Sequence, residues 1–395
     1  MTEADEDDRM RPNQRRALAY LARTGQASRA QLAGELGLPK ATVSGIVADL
    51  VARGLITEEL PTGDGRHLSA GRPAKVLSLT GPPAALGALS WSAGTLRIVV
   101  ATLTGKVLVD HTTALDAELE RPAAVEHIVH GLDRAAEEAG YAKADLVGLV
   151  LSVPAPLERT TAPTGTARRY DWIPYWLNAD LAEALERRAG IPARVENDAN
   201  LCALGEQAFG AGLDVPDLVY VKISRTGIGA GLILGERLHR GATGMAGELS
   251  HVQVRENGPL CGCGGRGCLI LTIRTEMIDI AQPAYDQTLT FDTVLNLAAA
   301  GDVALQRLLG DLGRTIARPL ADLCTLLNPD LLVLDGSLGP AGHHISAGMS
   351  AALERHARPA ISATVRIVPG RLDVHADILG AVALLRQEHA VIPPR

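Results

Sequence analysis

Residues 244–268 read GMAGELSHVQVRENGPLCGCGGRGC. Four metal-donor side chains lie in this stretch: His251, Cys261, Cys263 and Cys268. Nine residues separate the histidine from the first cysteine, one residue separates the next pair, and four precede the last. Three thiolates and one imidazole make a closed tetrahedral zinc site. The glycines between the thiols let a short loop turn tightly enough for all four to reach one ion. The same loop carries Glu248, three residues before the histidine. Such a site is structural, since no coordination position is left for water.

Other readings of the cluster are inert buried thiols, a redox centre, or a ligand set that includes Glu248. A disulfide between Cys261 and Cys263 would be strained, because a single intervening residue leaves little freedom to close the bond. Five cysteines is an odd number, and in a long chain it suits a reducing compartment.

The chain has 395 residues, 47 % of them apolar, enough to bury the cores of two or three domains. Aromatics make up 3 %, so packing must rely on Ala, Val, Leu and Ile. The sequence has no run of eighteen apolar residues, so no membrane span is indicated. The first ten residues, MTEADEDDRM, are acidic and lack the basic start and apolar core of a secretory leader. A cytoplasmic location is expected. Net charge is −7, but it is unevenly spread: residues 1–10 carry −4, residues 11–80 carry +5, and the remainder −8. A basic module on an acidic body suits a DNA-binding head on a sensor or enzyme.

The first eighty residues support that division. Residues 1–12 read as an acidic, disordered tail, and residues 13–80 as a winged helix-turn-helix. Ala17, Leu18, Tyr20 and Leu21 mark one face of a first helix. Ser28 starts a second, with Leu32 and Leu36 one turn apart, and Gly37 makes the turn. A third helix runs from about Pro39 to Val51 and buries Val43, Ile46, Val47 and Leu50. Leu55 and Ile56 lead into a wing whose return strand is Lys75 to Leu79, around a basic tip, GDGRHLSAGRP. The expected base-facing residues are Lys40, Thr42, Ser44 and Gly45. Arg66, Arg72 and Lys75 are placed to reach phosphates or a minor groove. Residues 81–86, with Pro82 and Pro83, read as a stiff linker.

Strands then alternate with helices, which implies an α/β body covered on both sides. Two related lobes are expected, one formed by residues 87–200 and 376–395, the other by 201–375 with the metal loop. A long helix, Ala304 to Leu327, could be broken near Pro319. Asn197 and Asp198 fall at a strand end that opens a helix, where a carboxylate can accept hydroxyl hydrogen bonds or serve as a helix cap.

Taken together, the winged helix, the body and the metal loop resemble the ROK family (repressors, open reading frames and kinases), in particular its sugar-responsive transcriptional regulators of the NagC/XylR/Mlc type. The resemblance covers about residues 13–390. It implies the two-lobed actin-like ATPase/sugar-kinase fold, a dimer or tetramer, and zinc on His251, Cys261, Cys263 and Cys268. It also implies sugar contacts from Asn197, Asp198, Glu248 and His251. In kinase members the aspartate matching Asp198 is the general base for the sugar hydroxyl.

Several positions depart from the family pattern. Ser250 and Ala155 stand where glycine is usual, and Ile270 replaces a glutamate. Leu89, Ser90 and Trp91 occupy the zone of an aspartate that manages ATP phosphates and magnesium. Only Gly94 and Thr95 still match that motif. Arg225 and Asp335 alter the remaining phosphate and adenosine loops. Phosphoryl transfer needs the phosphate charge neutralised, so ATP chemistry is expected to be lost. The expectation is a non-enzymatic repressor binding double-stranded DNA and a sugar or sugar phosphate. A bifunctional sugar kinase that also binds DNA, and a regulator controlled by a protein partner, are the alternatives.

Overall fold

The computed structural model describes residues 12–60, 75–79, 84–157, 174, 176–177, 180–224, 227–273 and 278–391. The acidic tail up to residue 11, Arg66 and Arg72 of the wing tip, linker residues 81–83, and Arg225 lie outside the described residues.

The head folds as α1 (Pro12–Thr24), β1 (Gln26–Ser28), α2 (Arg29–Leu36), α3 (Lys40–Ala52), β2 (Ile56–Glu59) and β3 (Val76–Leu79). Ser28 caps α2 through a capping box with Gln31, which satisfies two helix-end donors. Gly37 ends α2 in the left-handed region at φ 64°, so α3 starts almost at once in a new direction. Ala17, Leu21, Leu32, Val43, Val47, Leu50 and Leu77 form one core, with Ile46 at its partly exposed rim. The wing pairs β2 with β3 antiparallel, Ile56 opposite Leu79. The three-residue strand β1 joins its other side. It is too short to show a two-residue period and was not expected.

The body holds two five-stranded sheets. The first has order β6-β5-β4-β7-β8, built from β4 (Ala85–Ser92), β5 (Thr95–Thr102), β6 (Val107–Ala114), β7 (Leu149–Val153) and β8 (Ala193–Asn197). The second has order β11-β10-β9-β12-β13, from β9 (Leu218–Ile223), β10 (Ile228–Leu234), β11 (Arg237–Leu238), β12 (Leu331–Leu334) and β13 (Arg366–Pro369). Each sheet pairs three strands antiparallel and three in parallel, with the central strand shared. One boundary differs from the expectations. Ala85 and Leu86 are buried in β4, so the expected linker through residue 86 ends earlier. Strand β10 is rich in glycine because it lies against a helix: a Cβ at Gly231 would sit 2.3 Å from the Ala199 carbonyl oxygen.

Helices α4 (Arg121–Glu138) and α5 (Leu181–Ala189) cover the outer face of the first sheet. Between the sheets lie α6 (Asp198–Phe209) and the C-terminal helix. On the far side of the second sheet run α7 (Leu269–Ile273), α8 (Asp279–Ala281), α9 (Phe291–Ala299), α10 (Val303–Leu327), α11 (Gly342–His356) and α12 (Pro359–Ser362). Helix α10 is not broken at Pro319. An interior proline costs about 3 kcal/mol, which the buried stripe of Ile316, Ala317, Leu320, Ala321 and Cys324 offsets on both sides of it.

The C-terminal helix α13 (Ala376–Val391) completes the middle layer. It crosses α6 backbone to backbone. A Cβ at Gly205 would lie 2.1 Å from the Ala376 carbonyl oxygen, and one at Gly380 only 1.9 Å from that of Leu201. Leu86, Val99, Val150, Leu201, Leu204, Tyr220, Leu331, Ile378 and Val382 fill the space around the crossing. At the far end of α6 the buried Glu206 carboxylate accepts the backbone N–H groups of Ala211, Arg371 and Leu372 at 2.6, 2.8 and 2.9 Å. Gly380→Ala should therefore destabilise the chain by about 1–3 kcal/mol. Gly34→Ala, on the open face of α2 with nothing within 4 Å, should be neutral or stabilising. Paired denaturant titrations of the two variants check this.

Candidate functional site

The cleft opens where β8 hands over to α6. Asn197 is the cap of α6: its Oδ1 accepts the N–H groups of Ala199 and Asn200 at 2.9 and 3.2 Å. Its Nδ2 donates to the Ala155 carbonyl at 3.2 Å. The helix cap in this stretch is thus Asn197, and Asp198 is left to face the cleft. One Asp198 oxygen accepts the Ala199 N–H at 2.8 Å, and the other lies 3.5 Å from the Lys222 ammonium. Burial pushes the Asp198 carboxyl up, Lys222 pulls it down, and nearby Asp377 adds to the rise.

Lys222 was not anticipated. It sits in β9, the one charged residue of an otherwise apolar, buried strand. Burial pulls its ammonium down, but the Cys202 thiol and the carboxylates of Asp198, Asp335 and Asp377 outweigh this and hold it well above the usual range. Its place among the cleft residues makes it a fixed cation beside Asp198.

The opposite wall is the loop that leads into the His/Cys cluster. Gly247, at φ 87°, packs so closely that a Cβ would lie 1.9 Å from the Ala230 carbonyl oxygen, and its own carbonyl accepts the Ala230 N–H at 2.9 Å. Glu248 follows and lines the cleft, while Leu249 is buried beneath it. Burial and the facing Asp198 push the Glu248 carboxyl up to about 7. The Ser250 hydroxyl accepts the Ile228 N–H at 3.1 Å and donates to the Ile228 carbonyl. The serine in place of the family's glycine fastens this loop to β10, and its hydroxyl hydrogen is spent on that bond. Ala155 and Ile270 also line the cleft.

Beyond Ser250 the four donor residues converge. Their ligand atoms on His251, Cys261, Cys263 and Cys268 all lie within 4.8 Å of one another. The Cys261 sulfur is 3.7 Å from His251 Nδ1, and the Cys263 and Cys268 sulfurs are 3.6 Å apart. A tetrahedron with metal–sulfur bonds of about 2.3 Å has edges of about 3.8 Å, so the spacing fits one ion. Short bridges, Gln253 with Cys268 and Leu260 with Arg266, hold the loop in shape. Burial lowers the His251 pKa, which favours the neutral imidazole a metal requires. All five cysteines are free thiols.

The zone of the absent aspartate is filled differently. Leu89 and Trp91 point into the outer core, where the Trp91 indole donates to the Leu115 carbonyl at 2.9 Å and meets Trp176 edge-on. Ser90 points inward and donates to Asp377 at 2.6 Å, as Ser152 does at 3.0 Å. An acid thus stands here after all, but it comes from α13, far along the chain.

On the head, Lys40, Thr42 and Gly45 are exposed along α3 and Ser44 is half-buried. Lys75 lies 3.8 Å from Glu58, whose carboxylate already holds Arg29 in a two-point contact at 2.6 and 2.9 Å. Its charge is therefore partly engaged within the wing.

The ROK family model matches residues 92–388. The chain belongs to the ROK family. The MarR family model matches residues 10–67. The xylose repressor of Bacillus subtilis is 25 % identical over 385 residues, 97 % of each chain. A crystal structure of a ROK family transcriptional regulator, a homologue of the Escherichia coli MLC protein, covers 96 % of each chain with a TM-score of 0.75 at 24 % identity. The ROK hexokinase of Thermus thermophilus is 27 % identical with a TM-score of 0.61; it covers 77 % of this chain and 99 % of its own. The regulators match nearly the whole chain, whereas the kinase, itself covered almost completely, matches about three quarters of it. This ROK protein therefore has the build of the family's DNA-binding regulators. Among the described residues no helix is long and apolar enough to cross a membrane.

The chain should retain one metal ion per polypeptide, with Cys268→Ser lowering the occupancy severalfold. Elemental analysis, together with the absorption bands of a cobalt-substituted sample, would reveal a site of any other stoichiometry or ligand set.

Proposed function

We propose that this chain is a transcriptional repressor whose head binds double-stranded DNA and whose cleft takes a sugar or sugar derivative. The observation that carries the reading is the convergence of Asp198, Glu248 and His251 on one cleft beneath the cysteine loop. That arrangement lies in a body that carries a winged helix. Asp198 and Glu248 supply hydroxyl acceptors, and Asn197 has one side-chain N–H beyond the one it donates to the Ala155 carbonyl. The His/Cys set suits zinc, a closed site of three sulfurs and one nitrogen that would pin the loop behind Glu248. With His251 Nδ1 turned to the thiols, Nε2 is the ring nitrogen that would meet a ligand hydroxyl.

The chain acts as a homodimer or homotetramer in the cytoplasm, presenting two heads to a palindromic site. Lys40, Thr42, Ser44 and Gly45 of α3 face the bases, with Arg66, Arg72 and Lys75 on phosphates or in an adjacent minor groove. Sugar binding favours one arrangement of the lobes and so changes how the heads engage DNA. Support for a role without phosphoryl transfer comes from Leu89 and Trp91, buried apolar side chains in the zone of the kinases' aspartate, and from Asp377, the acid that reaches that zone from α13 and is engaged there by Ser90 and Ser152. The retained Asp198 is what favours the second reading, a sugar kinase that also binds DNA.

Fluorescence anisotropy at fixed salt, on operator fragments selected from a random DNA pool, tests the proposal. Tight binding released by one sugar, and insensitive to that sugar in Asp198→Asn, is expected. Release by a captured protein and by no sugar would favour control by a partner. Sugar-dependent ATP turnover that disappears in Asp198→Asn would favour the kinase. Failure to select any operator would sink the DNA-binding reading.

A further inference from the structure

Two carboxylates, Asp198 and Glu248, face one half-buried cleft from different parts of the fold. Asp198 begins α6 at the edge of the first sheet, and Glu248 lies on a loop after β11 of the second. Like charges in a cleft repel, and the ion pair of Asp198 is with Lys222 of β9, not with the loop of Glu248. A link between the two walls is made behind them. Glu196, the residue before the Asn197 cap, is 6 % exposed. Its Oε1 accepts the Asn197 N–H and the Asn200 side-chain amide, each at 3.0 Å. Its Oε2 accepts Arg240 Nε and Nη2, each at 2.7 Å. Four donors thus saturate a buried carboxylate, the condition under which such a pair is held in one geometry.

Arg240 in turn begins the segment that ends at Glu248. Its carbonyl accepts the Ala246 N–H at 3.1 Å, which closes the loop ahead of Gly247. Glu196 therefore grips the strand end that carries Asp198, and Arg240 grips the loop that carries Glu248. The cysteine cluster fastens that loop on its other side, at His251.

We propose that Arg240, acting through Glu196, is the positioning residue that holds Glu248 opposite Asp198 across the cleft. The inference rests on the reading of the cleft as a sugar site, but part of its test does not. Without the pair, the loop from Arg240 to Glu248 keeps its ties at Gly247, Ser250 and the cysteine cluster but loses its tie to the strand end of Asp198. Its carboxylate then relaxes away from Asp198, and a ligand must draw the walls together on binding.

Arg240→Met alone leaves a buried carboxylate short of its cation and could unfold the region for that reason. The Glu196→Gln/Arg240→Met double variant removes both charges and separates the two causes. Both variants are compared with the full-length wild type by amide hydrogen exchange and by calorimetric titration with D-xylose and D-glucose. Metal content is measured alongside. In the double variant, exchange across residues 240–248 should quicken and affinity for a bound sugar should fall about tenfold, with metal retained. Arg240→Lys should recover part of the loss. Unchanged exchange in the double variant overturns the inference, as does wild-type sugar affinity in it. Loosening in Arg240→Met that the double variant reverses also overturns it, since the cause is then an unpaired charge. Loosening in a protein whose wild type binds neither sugar supports the positioning role and counts against the sugar reading instead.

Discussion

The crossing of α6 and α13 is the constraint on which the body depends. Both sheets pack against this pair, and the two helices meet without side chains between them. Interiors packed to crystal-like density leave no room to adjust a contact of that kind. The inner faces of the sheets must therefore supply residues of matching size, which explains Ala88 and Ala101 in the same cluster as Val99 and Tyr220. It also decides where the cleft opens. With α6 fixed, its capped end at Asn197 stands at the end of β8, the edge strand of the first sheet.

That placement gives the cleft its electrostatic character. Helix N-termini favour negative charge, and Asp198 occupies the first turn of α6 while Asp377 occupies that of α13. Lys222 sits between these acids and Asp335. One ammonium thus stabilises carboxylates delivered by three separate elements, in a region where an unpaired charge would cost several kcal/mol.

Much of this was legible from the residues. The helix start at Ser28 and the stop at Gly37 mark boundaries by mechanisms that act within a few residues. The His/Cys spacing described a closed metal loop because short loops of glycine leave few other ways to gather four donors. What remained illegible depends on contacts between distant segments. The glycines of β10 have no evident cause in the sequence; they lie against Ala199, thirty residues earlier. Ser250 looked like a change to the ligand pocket, yet its hydroxyl is engaged by Ile228, which the sequence pattern cannot foresee. Lys222, Arg240 and Asp377 were missed for the same reason: each matters through a partner tens to hundreds of residues away.

One consequence concerns the turn between β5 and β6. Gly105 at this turn lies against Phe209 of α6 and Leu379 of α13: a Cβ there would be 3.1 and 3.4 Å from their side chains. The adjacent Thr104 meets Gly25, the residue that leaves α1 of the head; a Cβ at Gly25 would be 3.0 Å from its methyl group. Helix α6 runs about 18 Å from Asp198 to Phe209 at about 1.5 Å per residue. It is a stiff rod with a carboxylate of the cleft at one tip and an aromatic ring one residue away from the head's footing at the other. A tilt of that rod by about 5° about its middle would displace each tip by under an ångström. Such a movement is small beside a side chain, yet the head, standing farther from the pivot than either tip, would sweep a larger arc.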